Sequence, residues 1–271
     1  MPELPEVETV CRGLAPHIRG KTVLELILRA AKLRQPLDRE LCRILPGQVI
    51  VKVERRAKYL ILHCERGGLL IHLGMSGVLR LVPAGTTEQK HDHIDLIFTD
   101  GSCLRMTDPR RFGQFIYCPE DPLQHPLLHH LGPEPLADDF DGAYLYRRSR
   151  GRQQAVKTFL MDQRIVVGVG NIYASEALFR AGIHPARPAG RVGRERYERL
   201  VQMVRDVLVA AIAAGGTTIS DFRSSAGRPG YFRQELLVYG RAGAPCCRCG
   251  TALRSQRLGQ RSTFYCSHCQ R

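Results

Sequence analysis

The hydrophobic pattern of this chain changes period once. Up to about residue 118 apolar residues alternate in short runs, and beyond residue 142 they recur at helical spacing. Between the two lie Pro119, Pro122, Pro126, Pro133 and Pro135. Alternation writes strands with one buried face, whereas a period near 3.6 writes amphipathic helices. A single chain therefore carries two packing classes, joined by a proline-rich connection. Its 271 residues are enough for two modest cores.

In the first part, Val7, Val10, Cys11, Leu14 and Ile18 share one helical stripe behind Pro5, which predicts a helix over residues 5–19. Short alternating segments follow at 23–29, 48–54 (with Val49, Val51 and Val53 on one face), 57–63, 68–73, 78–82, 93–98, 102–106 and 112–117. Asp100-Gly101 is a hairpin turn. Eight strands at this spacing predict a β-sandwich. In the second part, residues 171–181 and 195–214 read as helices that stop at Gly182 and at Gly215-Gly216. The expected fold is thus multi-domain α and β. An N-terminal helix and sandwich span 1–122 and a linker 123–142. A helical domain spans 143–236 and a cysteine hairpin 237–271.

Forty Lys and Arg against 26 Asp and Glu give a formal charge of +14, which points to a polyanionic partner, nucleic acid before membrane. No run of apolar residues is long enough for a membrane helix, and the acidic start is unlike a signal peptide, so the cytosol is the expected compartment. Cys11, Cys42, Cys64, Cys103 and Cys118 are isolated, as reduced core thiols would be. Near the end, Cys246-x2-Cys249, sixteen intervening residues and Cys266-x2-Cys269 form two knuckles with the spacing of a four-thiolate zinc site. With sulfur at every position the metal is structural, because a catalytic zinc keeps one position open. Cys247 and His268 lie within the knuckles and read as bystanders. Arg254, Arg257 and Arg261 lie on the hairpin between them, where Arg261 reads equally as a phosphate grip and as a solvated tip.

Chemistry concentrates at Met1-Pro2-Glu3-Leu4-Pro5-Glu6. Trimming of Met1 leaves Pro2 as a terminal secondary amine, unprotonated in useful fraction near neutral pH because an α-amine titrates near about 7.7 to 8.0. Condensed with a sugar aldehyde it gives an iminium, an electron sink for elimination, with Glu3 and Glu6 beside it as acids or bases. Elsewhere, Gly168-Val169-Gly170-Asn171 opens a helix where an anion is attracted and Asn171 can cap. Arg147, Arg148, Arg150, Arg152 and Lys157 read equally as the positive field around such a site and as a charged surface turn. Lys58 is expected on the strand face of Leu60 and Leu62, where a lysine either snorkels or serves a site. Asp108-Pro109-Arg110-Arg111-Phe112-Gly113 sets a phenyl ring beside guanidiniums, suited to wedging a base stack, as does Met75 unless it fills the core.

These residues closely resemble the bacterial formamidopyrimidine-DNA glycosylases, the family of 8-oxoguanine DNA glycosylases and apurinic/apyrimidinic lyases. The resemblance spans nearly the whole chain. It is carried by MPELPEVET at 1–9, RRAKYL at 55–60, IHLGMSG at 71–77, KHDH at 90–93, TDPRRFG at 107–113 and LGPEPL at 131–136. It continues in VVGVGNIYASEALFRAGIHP at 166–185, PGYFRQELLVYGR at 229–241 and QRSTFYC at 260–266. It implies a β-sandwich joined to a helix–two-turn–helix domain with a zinc-finger hairpin, acting as a monomer on double-stranded DNA with oxidised purines or abasic sites. By resemblance, Pro2 attacks C1′ and Glu3 moves the proton. Lys58 assists elimination and Arg261 the final scission. His91, Arg110, Arg152 and Asn171 contact DNA, and Met75, Arg110 and Phe112 fill the space of the everted base, over which residues 217–231 close. The third thiol, Cys247, and arginines where relatives carry lysines at 147–152 depart from the pattern. Two other readings are the endonuclease VIII group, acting on oxidised pyrimidines, and a non-catalytic damage sensor.

Overall fold

Helix α1 (Leu4–Ile18) begins with Pro5 in its first turn and with a capping box in which the Glu6 carboxylate accepts the backbone N–H of Glu3 at 2.7 Å. Val7, Val10, Leu14 and Ile18 form its buried stripe. The computed structural model describes residues 2–215 and 236–271; residues 217–231 lie outside that range, so the expected lesion-covering loop is not among the described residues. The described residues form two units, one running to His129 and the other comprising His130–Ala214 and residues 236–271.

In the first unit two antiparallel four-stranded sheets make the sandwich. One has the order β1 (Val23–Leu28), β6 (Asp92–Phe98), β7 (Ser102–Thr107), β5 (Val78–Pro83). The other has β2 (Ile50–Arg56), β3 (Tyr59–Cys64), β4 (Gly68–His72), β8 (Gln114–Cys118). Leu26, Leu96, Leu104 and Met106 from the first meet Leu60, Leu62, Leu69, Ile71 and Phe115 from the second, with the α1 stripe completing the core. Each fully buried aliphatic side chain contributes on the order of 2 kcal/mol. Short helices α2 (Leu41–Ile44) and α3 (Pro126–His129) lie outside the sheets.

Three local expectations change. A register shift between Ile50 and Lys52 breaks the alternation of β2, so Ile50 turns inward while Val51 is 43% exposed; Val49, Val51 and Val53 do not share a core face. Ala57 and Lys58 form the turn between β2 and β3, with Ala57 at φ 55°, so Lys58 is not on the Leu60–Leu62 face. Phe112 precedes β8 and belongs to a turn organised by Asp108.

In the second unit, α4 (Gly142–Ser149) and α5 (Val156–Leu160) lead through two turns into α6 (Asn171–Ala181), and α7 (Arg194–Ala213) packs along α6 and α4. The turns are buried through Ile165, Val166, Val167 and Val169, which anchors the loop ahead of α6 rather than leaving it to fray. Gly168, at φ 77°, takes the left-handed conformation that this tight path requires. The hairpin β9 (Arg254–Leu258) and β10 (Arg261–Tyr265) packs on α6 and has a small core of Phe179, Val238, Leu253, Cys246 and Cys266. No helix among the described residues is long and apolar enough to cross a membrane.

Candidate functional site

Pro2 is buried immediately ahead of α1, and Glu3 and Glu6 are buried with it. The two acids brace the helix start reciprocally: the Glu6 carboxylate accepts the N–H of Glu3, and the Glu3 carboxylate accepts the N–H of Glu6, which fixes the backbone next to Pro2. Arg55 links this helix to the Lys58 turn. Its Nε donates to Glu8 of α1 at 2.7 Å and its Nη1 to the carbonyl of Ala57 at 2.9 Å. Lys58 is 4% exposed, so it does not snorkel. Its charge is felt at His72: burial first, then Lys58 and Arg34, push that imidazole down to about 4, leaving it neutral at physiological pH.

Met75 and Phe112 sit on adjoining turns of the same unit. The Ser76 hydroxyl donates to Asp108 at 2.7 Å and accepts the N–H of Arg110 at 3.2 Å, and the other Asp108 oxygen accepts the N–H of Gly113 at 2.8 Å. A Cβ on Gly74, which has φ 62°, would lie 2.4 Å from the Phe112 carbonyl carbon. The two turns are therefore pressed backbone to backbone. Phe112 is 45% exposed with the Arg110 guanidinium 4.9 Å from its ring centre, and Met75 is half-buried, so neither serves as core.

His91 ends the long connection between β5 and β6, and what holds that connection is not apparent from its own residues. Arg105 donates to both oxygens of Asp95 at 2.8 Å and to the carbonyls of Thr86 and Thr87 at 2.8 and 3.2 Å; Asp92 accepts the N–H of Gln89 at 2.9 Å. Burial raises the Asp95 carboxyl, but Arg105 and Arg29 outweigh it and hold the group below the ordinary carboxylate range. A charged pair in register on two apolar strands, Asp95 opposite Arg105, was the available signal.

In the second unit Gly170, not Asn171, caps α6. Asn171 instead accepts from Lys157 Nζ at 2.6 Å and donates to the Tyr239 hydroxyl at 3.4 Å. Lys157 also donates to the Ser262 carbonyl at 3.1 Å and the Thr263 hydroxyl at 2.8 Å. It is 1% exposed, so it contributes an internal brace rather than a surface field. Lys157→Met leaves those acceptors buried without their donor, which costs about 3 kcal/mol. The expected result is a lower unfolding midpoint together with weaker zinc retention; a variant matching wild type in both would show that the brace is dispensable. Glu176, also overlooked, accepts the N–H groups of Leu237, Val238 and Tyr239 at 2.9 to 3.0 Å. Arg152 is half-exposed, with Nε on the Arg148 carbonyl at 2.9 Å, and Arg261 is exposed where β10 begins.

The Sγ atoms of Cys246, Cys249, Cys266 and Cys269 all lie within 4.8 Å of one another, with Cys246–Cys269 at 3.9 Å and Cys249–Cys266 at 3.5 Å. Four sulfurs each about 2.3 Å from a tetrahedral zinc are about 3.8 Å apart, so the set fits that ion. These four cysteines are the set that would hold the zinc, and Cys247, exposed, lies outside the cluster.

The three domain models that match are the formamidopyrimidine-DNA glycosylase N-terminal domain over residues 1–115, the formamidopyrimidine-DNA glycosylase H2TH domain over 131–223, and the zinc finger found in FPG and IleRS over 243–271. The formamidopyrimidine-DNA glycosylase of Alkalilimnicola ehrlichii is 59% identical over 100% of both chains. Among solved structures, the Thermus thermophilus protein is 37% identical with a TM-score of 0.86, covering 99% of this chain and 98% of its own. A Lactococcus lactis relative in complex with DNA containing N7-benzyl-Fapy-dG is 34% identical with a TM-score of 0.91 over 100% of both. The chain belongs to the formamidopyrimidine-DNA glycosylase family.

Proposed function

We infer that this chain is a bifunctional base-excision repair enzyme that removes oxidised purines, 8-oxoguanine and formamidopyrimidines, from double-stranded DNA and then nicks the strand at the abasic site. The observation that carries the reading is Pro2 set directly ahead of a capped helix, with the carboxylate of Glu3 buried beside it.

The Pro2 nitrogen, freed of Met1, displaces the base at C1′ and loses its proton; the departing base takes one up, and Glu3 relays protons at the sugar. Opening of the sugar gives the iminium. A base takes the C2′ proton while the C–H electron pair flows into that sink and then expels the 3′ phosphate, and a second elimination, with loss of the C4′ proton, expels the 5′ phosphate. Lys58, fixed in its turn, supports these steps at phosphate, and Arg261 acts on the last. His91, Arg110, Arg152 and Asn171 hold DNA, while Met75, Arg110 and Phe112 occupy the space left by the flipped nucleotide. A zinc held by Cys246, Cys249, Cys266 and Cys269 would supply rigidity to the Arg261 hairpin and no step of the reaction. In this reading 1–122 is the catalytic domain, 123–142 a linker, 143–236 the helical DNA-binding domain and 237–271 the zinc finger. The enzyme works as a monomer in the cytosol, consistent with ten cysteines none of which is in a disulfide.

Incubation with an 8-oxoguanine duplex and borohydride is expected to give a covalent protein–DNA adduct, and excision of 8-oxoguanine is expected to exceed that of thymine glycol. Base release with no trapped adduct overturns the covalent route, and the opposite lesion preference overturns the substrate assignment.

A further inference from the structure

The C-terminal end of α6 gathers more positive charge than the fold uses. Two adjoining depressions of about 450 Å³ each meet at Arg271, one bordered by Arg187 and Arg191, the other by Arg196, Arg199 and Arg248. Glu195 is the one acidic side chain on either lining, and none of the six guanidiniums forms an ion pair with an Asp or Glu side chain among the described residues. Some of this charge has an internal role. Arg196 donates to the carbonyl of Gly182 at 2.9 Å and Arg248 to that of Phe179 at 3.3 Å, which satisfies the open end of the helix, and Arg196 also donates to the terminal main-chain oxygen of Arg271 at 2.6 Å. A helix C-terminus carries only about half an elementary charge, however, so one guanidinium offsets it. The side chains of Arg187 and Arg191 have no hydrogen-bond or ion-pair partner among the described residues. Burial, then the neighbouring charges of Arg187 and Arg199, push Arg196 below its ordinary range.

We propose that this end of α6 is a second phosphate-binding surface, taking the backbone of a DNA segment other than the one engaged at the N-terminal end of the helix. Eleven residues make α6 about 16 Å long, so Asn171 and the arginine cluster are set at opposite ends of one rod. Arginine forks match phosphate oxygens bidentately, and neither lining offers an aromatic ring other than the imidazole of His184, already edge-on to Tyr265 at 4.7 Å. The surface therefore suits a duplex backbone rather than stacked, unpaired bases. The proposal rests on the reading that this chain acts on DNA.

The test compares zinc-loaded wild type with Arg187→Gln/Arg191→Gln and Arg187→Lys/Arg191→Lys. On a lesion-free duplex of about six helical turns, the glutamine pair is expected to bind about tenfold more weakly at low salt. Its salt dependence, the slope of log K against log salt, is expected to fall by about 1 to 2, near 0.9 for each phosphate no longer neutralised. The lysine pair keeps the wild-type slope. On an abasic duplex of about one turn, binding and nicking by all three proteins are expected to be equal. Capture of a second, free duplex by wild type already seated on an immobilised abasic duplex, abolished in the glutamine pair, supports a separate molecule as the segment; a weakening confined to the long duplex supports its flank. An unchanged slope on the long duplex overturns the proposal, as does an equal weakening on both duplexes. A wild type that neither binds nor nicks any duplex sinks the repair reading itself, a distinguishable result.

Discussion

A glutamate inserted between Met1 and Pro2 is expected to abolish adduct trapping and strand nicking altogether, and Pro2→Gly to slow both by roughly 10³-fold, about 4 kcal/mol of barrier. The insertion resists trimming and leaves the ring nitrogen in a peptide bond, where its lone pair is delocalised and cannot attack C1′. The glycine variant is milder because it keeps a terminal amine of similar basicity. That amine is primary, however, so its sugar adduct is an imine that must hold a proton to draw electrons, whereas the proline adduct is charged at every pH. Both proteins retain the Glu6 brace, since it is the Glu3 amide that the carboxylate binds. Intact mass establishes which terminus each protein carries, and borohydride trapping with single-turnover nicking reads the outcome. Full activity in the inserted protein would remove Pro2 from the chemistry.

Removal of the metal, by chelator or by Cys249→Ser/Cys266→Ser, is expected to take zinc from one ion per chain to none and to lower nicking by more than about 100-fold. The hairpin core comprises Phe179, Val238 and Leu253 besides two of the ligands, and two five-residue strands are not stable alone. Structural zinc sites supply about 10 to 16 kcal/mol, as much as the whole stability of an ordinary domain. With the hairpin melted, Arg261 loses its position, and Lys157 loses two of its acceptors, Ser262 and Thr263. The sandwich has a separate core and is expected to keep its β-sheet signal in circular dichroism. Zinc analysis, that spectrum and nicking of an abasic duplex check the result; a metal-free protein that still nicks at the wild-type rate contradicts it.

The eight strands, α1, α6 and the metal knuckles were legible because each depends on short-range periodicity or spacing. What escaped was set by partners distant in sequence or by irregular backbone. The bulge in β2 reverses which valines face inward, and no alternation rule signals it. Lys58 and Phe112 read as strand residues, because a positive φ at Ala57 and the Asp108 turn leave little trace in composition. Lys157 and Asn171 both stand out in the sequence, but as surface charge and helix cap. Their pairing joins residues whose closeness only the folded chain creates. Arg55, Arg105 and Glu176 escape for the same reason.

Any side chain at Gly74 collides with the backbone at Phe112, which has nowhere to retreat, and displaces Met75 and the phenyl ring together. On the proposal that Met75 and Phe112 fill the space of the flipped nucleotide, a screen for altered damage discrimination is expected to score position 74 as though it touched the nucleic acid, when its whole influence is exerted by the atoms it lacks.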